Sequence, residues 1–291
     1  FASIESGAGR FTDFLLPPLT FNEYISLKDL DKLIKPIDIH WSGKSMNFYS
    51  TAHLEELNKH FIDYINFGGY PEVIFSEKIQ NNPGRYIRQD IVVKVLLRDL
   101  PSLYGIADTR ELNSLFTTIA YNSGCEFSLE ALSKQAQLPK NTLKKYIEYL
   151  EAAYLIKQVK RIDQSGKKFK RDHFFKIYLT NPSLRSALFS PLTSTNEMTG
   201  NMVETAIFAQ WLHRDWFTPW YARWGNGEVD MIGLGDTLKP IWALEIKWSD
   251  RYFDKPKELK SLIKFCVENE IQNPIVTSIS KEGSIPHNGI N

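Results

Sequence analysis

Apolar positions in the first part of the chain recur at helical spacing. Between His53 and Phe67, Leu54, Leu57, Phe61, Ile62 and Ile65 fall on one stripe and predict an amphipathic helix. Gly68-Gly69-Tyr70-Pro71 ends it, since glycine admits left-handed backbone and proline cannot extend a helix. Tyr86–Leu97 repeats the pattern with Ile87, Ile91, Val95 and Leu96, and Arg98-Asp99-Leu100-Pro101 is expected to close it. Upstream, Phe14-Leu15-Leu16 reads as a short strand. Thr20 reads as a helix N-cap, with Glu23 completing a capping box. Residues 26–110 are therefore expected to be mostly helical.

The rhythm changes over residues 111–180. Leu112–Tyr121 predicts a helix, Ser128–Gln135 a short capped helix and Thr142–Ala153 another. Two apolar runs follow, Tyr154–Val159 and Phe174–Leu179, joined by the basic segment Lys160–Arg171. Helix, turn, helix, strand, basic loop, strand is the order of a winged helix. Residues 181–200, with Pro182, Pro191 and several Ser and Thr, read as a linker. Beyond it come a helix from Asn201 to His213, three strands that include two short runs bearing charged pairs, a helix near Pro256–Glu268 and a strand at Pro274–Thr277. That order predicts a small α/β domain.

Composition narrows the picture. With a net charge of +1, any basic surface must be local. Cys125 and Cys266 lie far apart, with no Cys/His metal spacing, which points to a reducing, cytoplasmic setting. No apolar run is long enough for a membrane span, so no membrane partner is expected. The chain begins at Phe1, and Phe1–Arg10 looks like a strand end and loop whose sheet lies upstream; a preceding piece is expected to be missing.

Two regions carry chemistry. Lys140, Asn141 and Lys144, opening the second helix of the winged-helix pattern, suit a nucleic-acid groove. Lys167, Lys168, Lys170 and Arg171, with Lys160 and Arg161, suit phosphates. The same loop also fits a plain solvated hairpin on an interdomain adaptor. Further on, Glu228 and Asp230 sit two apart on one strand run, and Glu245 and Lys247 two apart on the next. Period-two spacing puts each pair on one face. Asp230 and Glu245 are then candidate ligands for Mg²⁺, which takes hard oxygen donors. Lys247 would position water and stabilise developing charge, and Glu204 on the preceding helix would support the metal. The alternative is a cross-strand Glu228–Lys247 ion pair with Glu245 in solvent. Trp224 and Trp248 flank this stretch and suit either core packing or stacking on a base.

Gly-Asn-Gly-Glu-Val-Asp at 225–230 with Ala-Leu-Glu-Ile-Lys at 243–247 resembles the PD-(D/E)XK nuclease signature. More broadly, Glu5–Arg10, Leu16–Glu23, Gly68–Val73, Leu150–Ile156, Lys176–Pro182, and Gly200 with Glu204 and Tyr221 resemble the C-terminal part of AAA-type P-loop ATP-binding proteins of bacteria and archaea. The resemblance implies a multi-domain α+β chain: an ATPase-core remnant at 1–25, a helical lid at 26–110, a winged helix-turn-helix at 111–182, a restriction-endonuclease-like α/β domain at 183–280 and a tail at 281–291. It implies catalytic roles for Glu204, Asp230, Glu245 and Lys247, and action on nucleic acid, DNA above RNA. Self-association or a partner protein and a silent regulatory module also fit. No Gly-x-x-x-x-Gly-Lys-[Ser/Thr] loop is present, so ATP is expected only in the intact parent protein. There Arg10 would contact nucleotide, unless it pairs with Glu5.

Overall fold

The computed structural model describes residues 16–41, 44–167, 174–213 and 218–290. Arg10, Phe14, Leu15, Lys168, Lys170 and Arg171 lie outside these residues. Among the described residues the strands form two sheets. β1 (Lys35–Trp41) and β2 (Lys44–Ser50) make an antiparallel pair. The rest join one seven-stranded mixed sheet: β3 (Glu126–Ser128), β4 (Ile156–Ile162), β5 (Phe174–Leu179), β6 (Trp220–Trp224), β7 (Gly227–Leu234), β8 (Pro240–Glu245) and β9 (Ile275–Val276). Their spatial order is β3-β5-β4-β6-β7-β8-β9. The sheet crosses the boundary expected at 182/183, because Lys160–Ile162 of β4 pair in parallel with Trp220–Ala222 of β6.

The mixed α+β character matches the sequence reading, with local differences. Thr20 caps the helix Phe21–Leu27 through a full capping box. The helix Leu54–Phe67 stops at Gly68 as expected, but with φ −83° and not left-handed backbone; glycine is needed there because a Cβ would stand 2.5 Å from Tyr64 Cα. Residues 35–50, however, form the β1–β2 hairpin within the segment expected to be helical. Ile37, Ile39 and Trp41 recur at period two there, and Met46 and Phe48 do the same on the return strand, a strand pattern. The second long helix does not close at Arg98–Pro101. It runs unbroken from Pro83 to Tyr104, π-wound over Ile87–Val93 and Val95–Asp99. The wider turns before Pro101 ease the clash a proline ring makes with the carbonyl four residues back. Gly105, at φ +64°, ends the helix instead.

Residues 181–200 are not an open linker. Ser183–Leu188 form a helix in which Ser183, Leu184, Arg185 and Ser186 are buried. Ser186 Oγ donates to Asn66 Oδ1 at 2.9 Å, and Asn66 Nδ2 donates to the Leu192 carbonyl at 2.8 Å. A serine-rich stretch reads as a linker by composition, but these hydroxyls meet buried polar partners on the helix Leu54–Phe67. The tail is not wholly loose either, since Ile290 is buried in a core.

Two helices cover opposite faces of the sheet's C-terminal half. Met202, Val203, Ala206 and Phe208 of the helix Thr199–Ala209 pack on Tyr178, Tyr221, Met231 and Leu244. Leu262, Phe265 and Cys266 of the helix Lys260–Glu268 pack on Ala222, Val229, Ile232 and Ala243. The strand residues of the two sets alternate, as a pleated sheet buried on both faces requires. Trp224 stacks on Phe265 with centroids 6.0 Å apart, and Trp248 lies 5.9 Å from Phe61. Both indoles are half-buried and pack on aromatic neighbours.

The helical region is locked to the sheet at Gly69, where an added Cβ would lie 1.4 Å from the Asn181 side-chain nitrogen. Gly69→Ala should lower stability by about 1–3 kcal/mol through overpacking, read as a lower urea midpoint. Gly200→Ala, with nothing within 4 Å of the new methyl, should leave the midpoint unchanged or raise it.

Candidate active site

The expected acids and lysine do converge, around a residue the sequence reading did not single out. Lys176 sits mid-strand on β5 at 2% exposure. Its Nζ lies 2.8 Å from Glu204, 2.7 Å from Glu228 and 3.8 Å from Asp230 Oδ1. The Tyr221 and Tyr178 rings face it at 5.5 and 5.9 Å, adding cation–π attraction. Tyr178 also donates its hydroxyl to Glu204 Oε1 at 2.5 Å. Close approach here depends on Gly124, at φ +83°, whose Cβ would stand 3.3 Å from the Tyr178 ring and 3.7 Å from the Glu204 carboxyl.

Local geometry explains how Asp230 reaches this point. Trp220 pairs with Ile232 while Ala222 pairs with Val229, so β7 carries one extra residue between Val229 and Ile232. Such a bulge re-aims side chains, and Asp230 lies within it. Its Oδ1 faces Lys176. Its Oδ2 accepts the Ile246 N–H at 2.8 Å and lies 3.6 Å from Lys247 Nζ. Lys247 stands just past β8, where its N–H donates to Thr277 Oγ1 at 2.7 Å, and its ammonium is 2.7 Å from Glu245 Oε1. Glu245 Oε2 is buried with no hydrogen-bond partner.

The expected pairings thus resolve plainly. Glu228 pairs with Lys176 and, at 2.9 Å, with Arg223, not with Lys247. Glu245 is 8% exposed and does not face solvent. Glu204 is committed to Lys176 and Tyr178. The cluster continues toward β3, where Glu126 accepts the Tyr221 hydroxyl at 2.7 Å and lies 3.5 Å from Arg161 and 3.6 Å from Arg223. The signal for Lys176 was a lone charge inside an apolar strand run, since lysine is almost never fully buried unless paired.

Electrostatics follow from burial. Desolvation pushes the Glu245 carboxyl up to about 8, with the Asp230 charge adding and Lys247 opposing. Desolvation likewise raises Glu204, against the pull of Lys176. For Lys176 and Lys247 burial works toward neutrality, but neighbouring acids, joined at Lys176 by the Tyr178 hydroxyl, outweigh it and hold both firmly charged.

A divalent cation can be tested against this donor set. Asp230 Oδ2 and Glu245 Oε1 lie 3.6 and 2.7 Å from one nitrogen, so both carboxylates converge on a single cationic position, the one the Lys247 ammonium fills. The orphaned Glu245 Oε2 supplies a free hard donor beside them. Mg²⁺ commonly takes one or two carboxylates and completes its shell with water or phosphate, so the donor type of this pair suits it, while the position between the two acids is held by Lys247. Among the described residues no three acidic, His or Cys side chains are placed to hold a metal together, and Lys176 already stands among Glu204, Glu228 and Asp230.

Of the residues expected to meet nucleic acid, Lys140, Asn141 and Lys144 are exposed on the helix Lys140–Ala152, and Lys140 lies 3.9 Å from Glu130. Lys167 is exposed, with its N–H donated to Asp163 Oδ1 at 2.8 Å. The base of this loop is docked on the C-terminal half. Asn269 donates to the Gln164 carbonyl at 2.9 Å, and a Cβ on Gly166 would meet Pro240 at 2.5 Å. Among the described residues no helix is long and apolar enough to cross a membrane, and both cysteines are free.

Comparison with known proteins adds distant kinship. A family model described as a domain of unknown function, DUF8612, matches residues 58–196. That span includes Glu126 and Lys176 and stops short of Glu204. An uncharacterized protein of Haemophilus influenzae is 22% identical over 230 residues, covering 77% of this chain and 50% of the relative. The uncharacterized protein MJ1544 of Methanocaldococcus jannaschii is 22% identical over 274 residues, covering 91% of this chain and 56% of the relative. The chain thus spans about half the length of these curated relatives. No solved structure matches it.

Glu245 gives a pH signature. Its folded carboxyl titrates above the ordinary 4.5, near 8, so the folded state binds the extra proton between those values. Stability on this account is fully present below 4.5 and declines as pH rises through about 8. Glu245→Gln should flatten the fall in urea midpoint across that window, measured in chelator. An equal fall in wild type and variant would contradict the assignment.

Proposed function

We propose that this cluster is a PD-(D/E)XK-like phosphodiester site acting on nucleic acid, DNA above RNA, with Asp230 and Glu245 holding Mg²⁺. The observation that carries the reading is the buried, unpartnered Glu245 Oε2 beside Asp230, with the Lys247 ammonium between the two carboxylates. When bound, the metal would lower the pKa of a water and polarise a phosphoryl oxygen. Lys247, held charged by Asp230 and Glu245, presents a fixed cation to a phosphate oxygen. Asp230 holds Lys247 and the Ile246 N–H in register. The helix Lys140–Ala152 would read or grip the nucleic acid in a winged-helix arrangement, with Lys140, Asn141 and Lys144 on its exposed side. We further propose that the complete protein is a AAA-type ATPase that couples nucleotide to this end, with residues 26–110 as its lid and Arg10 at the nucleotide. What supports that is the sequence resemblance; the greater length of the relatives leaves room for a further domain.

A second reading, a catalytically silent DNA- or protein-binding module, is favoured by the Lys176 ammonium standing among three of the four acids.

Cleavage of plasmid and single-stranded DNA in Mg²⁺ or Mn²⁺ separates the two. The nuclease reading expects metal-dependent cutting that falls at least about a hundredfold in Asp230→Ala and Lys247→Ala. Equal cutting in wild type and both variants would remove the assignment. No cutting, with DNA binding that weakens in Lys140→Ala/Lys144→Ala, supports the silent module.

A further inference from the structure

We propose that Arg185 is the cationic base of an oxyanion site that takes a phosphate monoester, at the edge of the helix Ser183–Leu188 where Phe189 meets Tyr121. The site lies outside the cluster around Lys176, and the inference stands apart from the metal reading of Asp230 and Glu245.

Among the described residues two cationic side chains are buried, and the chain treats them differently. Lys176, 2% exposed, stands among three carboxylates. Arg185 is 5% exposed, yet its Nε and Nη1 are buried with no hydrogen-bond partner. Burial lowers its pKa, and the Tyr121 phenol, not a carboxylate, is what pulls the other way. An arginine holds its charge even so. A buried charge without an acceptor is costly. Its planar fork of N–H donors matches the oxygens of a carboxylate or a phosphate. The orphaned donors therefore mark a place that an anion completes.

The surroundings put that place within reach of solvent. The guanidinium lies over the Phe189 ring at 5.4 Å, and Phe189 meets Tyr121 edge-on with centroids 5.4 Å apart. Phe189 is 39% and Tyr121 50% exposed, so the buried cation is bordered by side chains that reach water. The Tyr121 hydroxyl is a further donor at this border.

The neighbourhood favours phosphate over carboxylate. Ser186 and Ala187, next in the chain, line a cleft of about 470 Å³ together with Arg85, Arg88, Asn82 and Gln89, and no acidic side chain lines it. A phosphate monoester carries about −1.5 to −2 charges at neutral pH and gains more from that field than a singly charged carboxylate or phosphodiester. The ligand class is thus a terminal phosphate, carried by a free nucleotide or by the end of a nucleic-acid strand.

Calorimetry of the full chain with inorganic phosphate, at constant ionic strength in chloride, tests this without reference to cleavage. Wild type should bind one phosphate per chain, and Arg185→Met should bind at least about tenfold more weakly. Because that variant loses no ion pair, its urea midpoint without phosphate should equal or exceed that of wild type, while added phosphate should raise only the wild-type midpoint. If Arg185→Met does not fold, Arg185→Lys keeps the charge without the fork and should bind phosphate more weakly than wild type. Displacement of bound phosphate by AMP identifies a free nucleotide as the source, and displacement by 5′-phosphorylated oligothymidylate alone identifies a strand end. No phosphate binding by wild type, or equal binding in the folded variant, overturns the proposal. Displacement by acetate or by unphosphorylated oligothymidylate as strong as by AMP overturns the preference for a monoester.

Discussion

An ammonium group leaves water only where negative charge replaces its hydration, and Lys176 has left water almost completely. The acids that make this possible come from two other places in the chain: Glu204 from a helix packed on the sheet, and Glu228 and Asp230 from the β6–β7 hairpin. None is near Lys176 in sequence. Their meeting depends on the parallel pairing of β4 with β6, which brings β5 and the hairpin onto one sheet. It also depends on the β7 bulge that turns Asp230 toward β5. Breaking a buried pair of this kind costs about 3–5 kcal/mol, a large share of an ordinary domain's stability. The cluster therefore constrains the fold as much as the fold positions the cluster.

Charges along this series of residues alternate. Glu126 meets Arg161 and Arg223; Arg223 meets Glu228; Glu228 meets Lys176; Asp230 stands between Lys176 and Lys247; Lys247 meets Glu245. The series is well satisfied toward β3 and incomplete at β8, where Glu245 keeps one oxygen without a partner. A buried orphan acceptor is costly, and native proteins retain few of them. The asymmetry gives the series a direction, with a satisfied end and an unsatisfied end.

Much of this was legible in the sequence, and the remainder was hidden for identifiable reasons. Period two placed Glu228 with Asp230, and the Gly225–Gly227 turn placed the hairpin. Helical spacing marks the helix Leu54–Phe67 and its end at Gly68. Lys176 was hidden because strand periodicity reports the faces of a strand, not the partners that approach from distant segments. The β1–β2 hairpin was hidden inside a region read by its helical neighbours. The burial of Ser183 and Ser186 was masked by a composition that describes a linker as well as a polar contact. Pro101 marked a helix end by local rule, and the π winding before it removed the steric reason for the rule.

The pairing of Lys160–Ile162 with Trp220–Ala222 joins pieces that a sequence map divides into separate modules. Cutting the chain near residue 182 to isolate either part would expose a raw strand edge on each fragment, β4 on one and β6 on the other. Unpaired edges of that kind recruit other chains. Lys176 would also remain in the first fragment without its acids, and Glu204, Glu228 and Asp230 would remain in the second without Lys176. The smallest stretch that can be handled as an intact object is thus set by a hydrogen-bonded seam, not by the boundaries that composition draws.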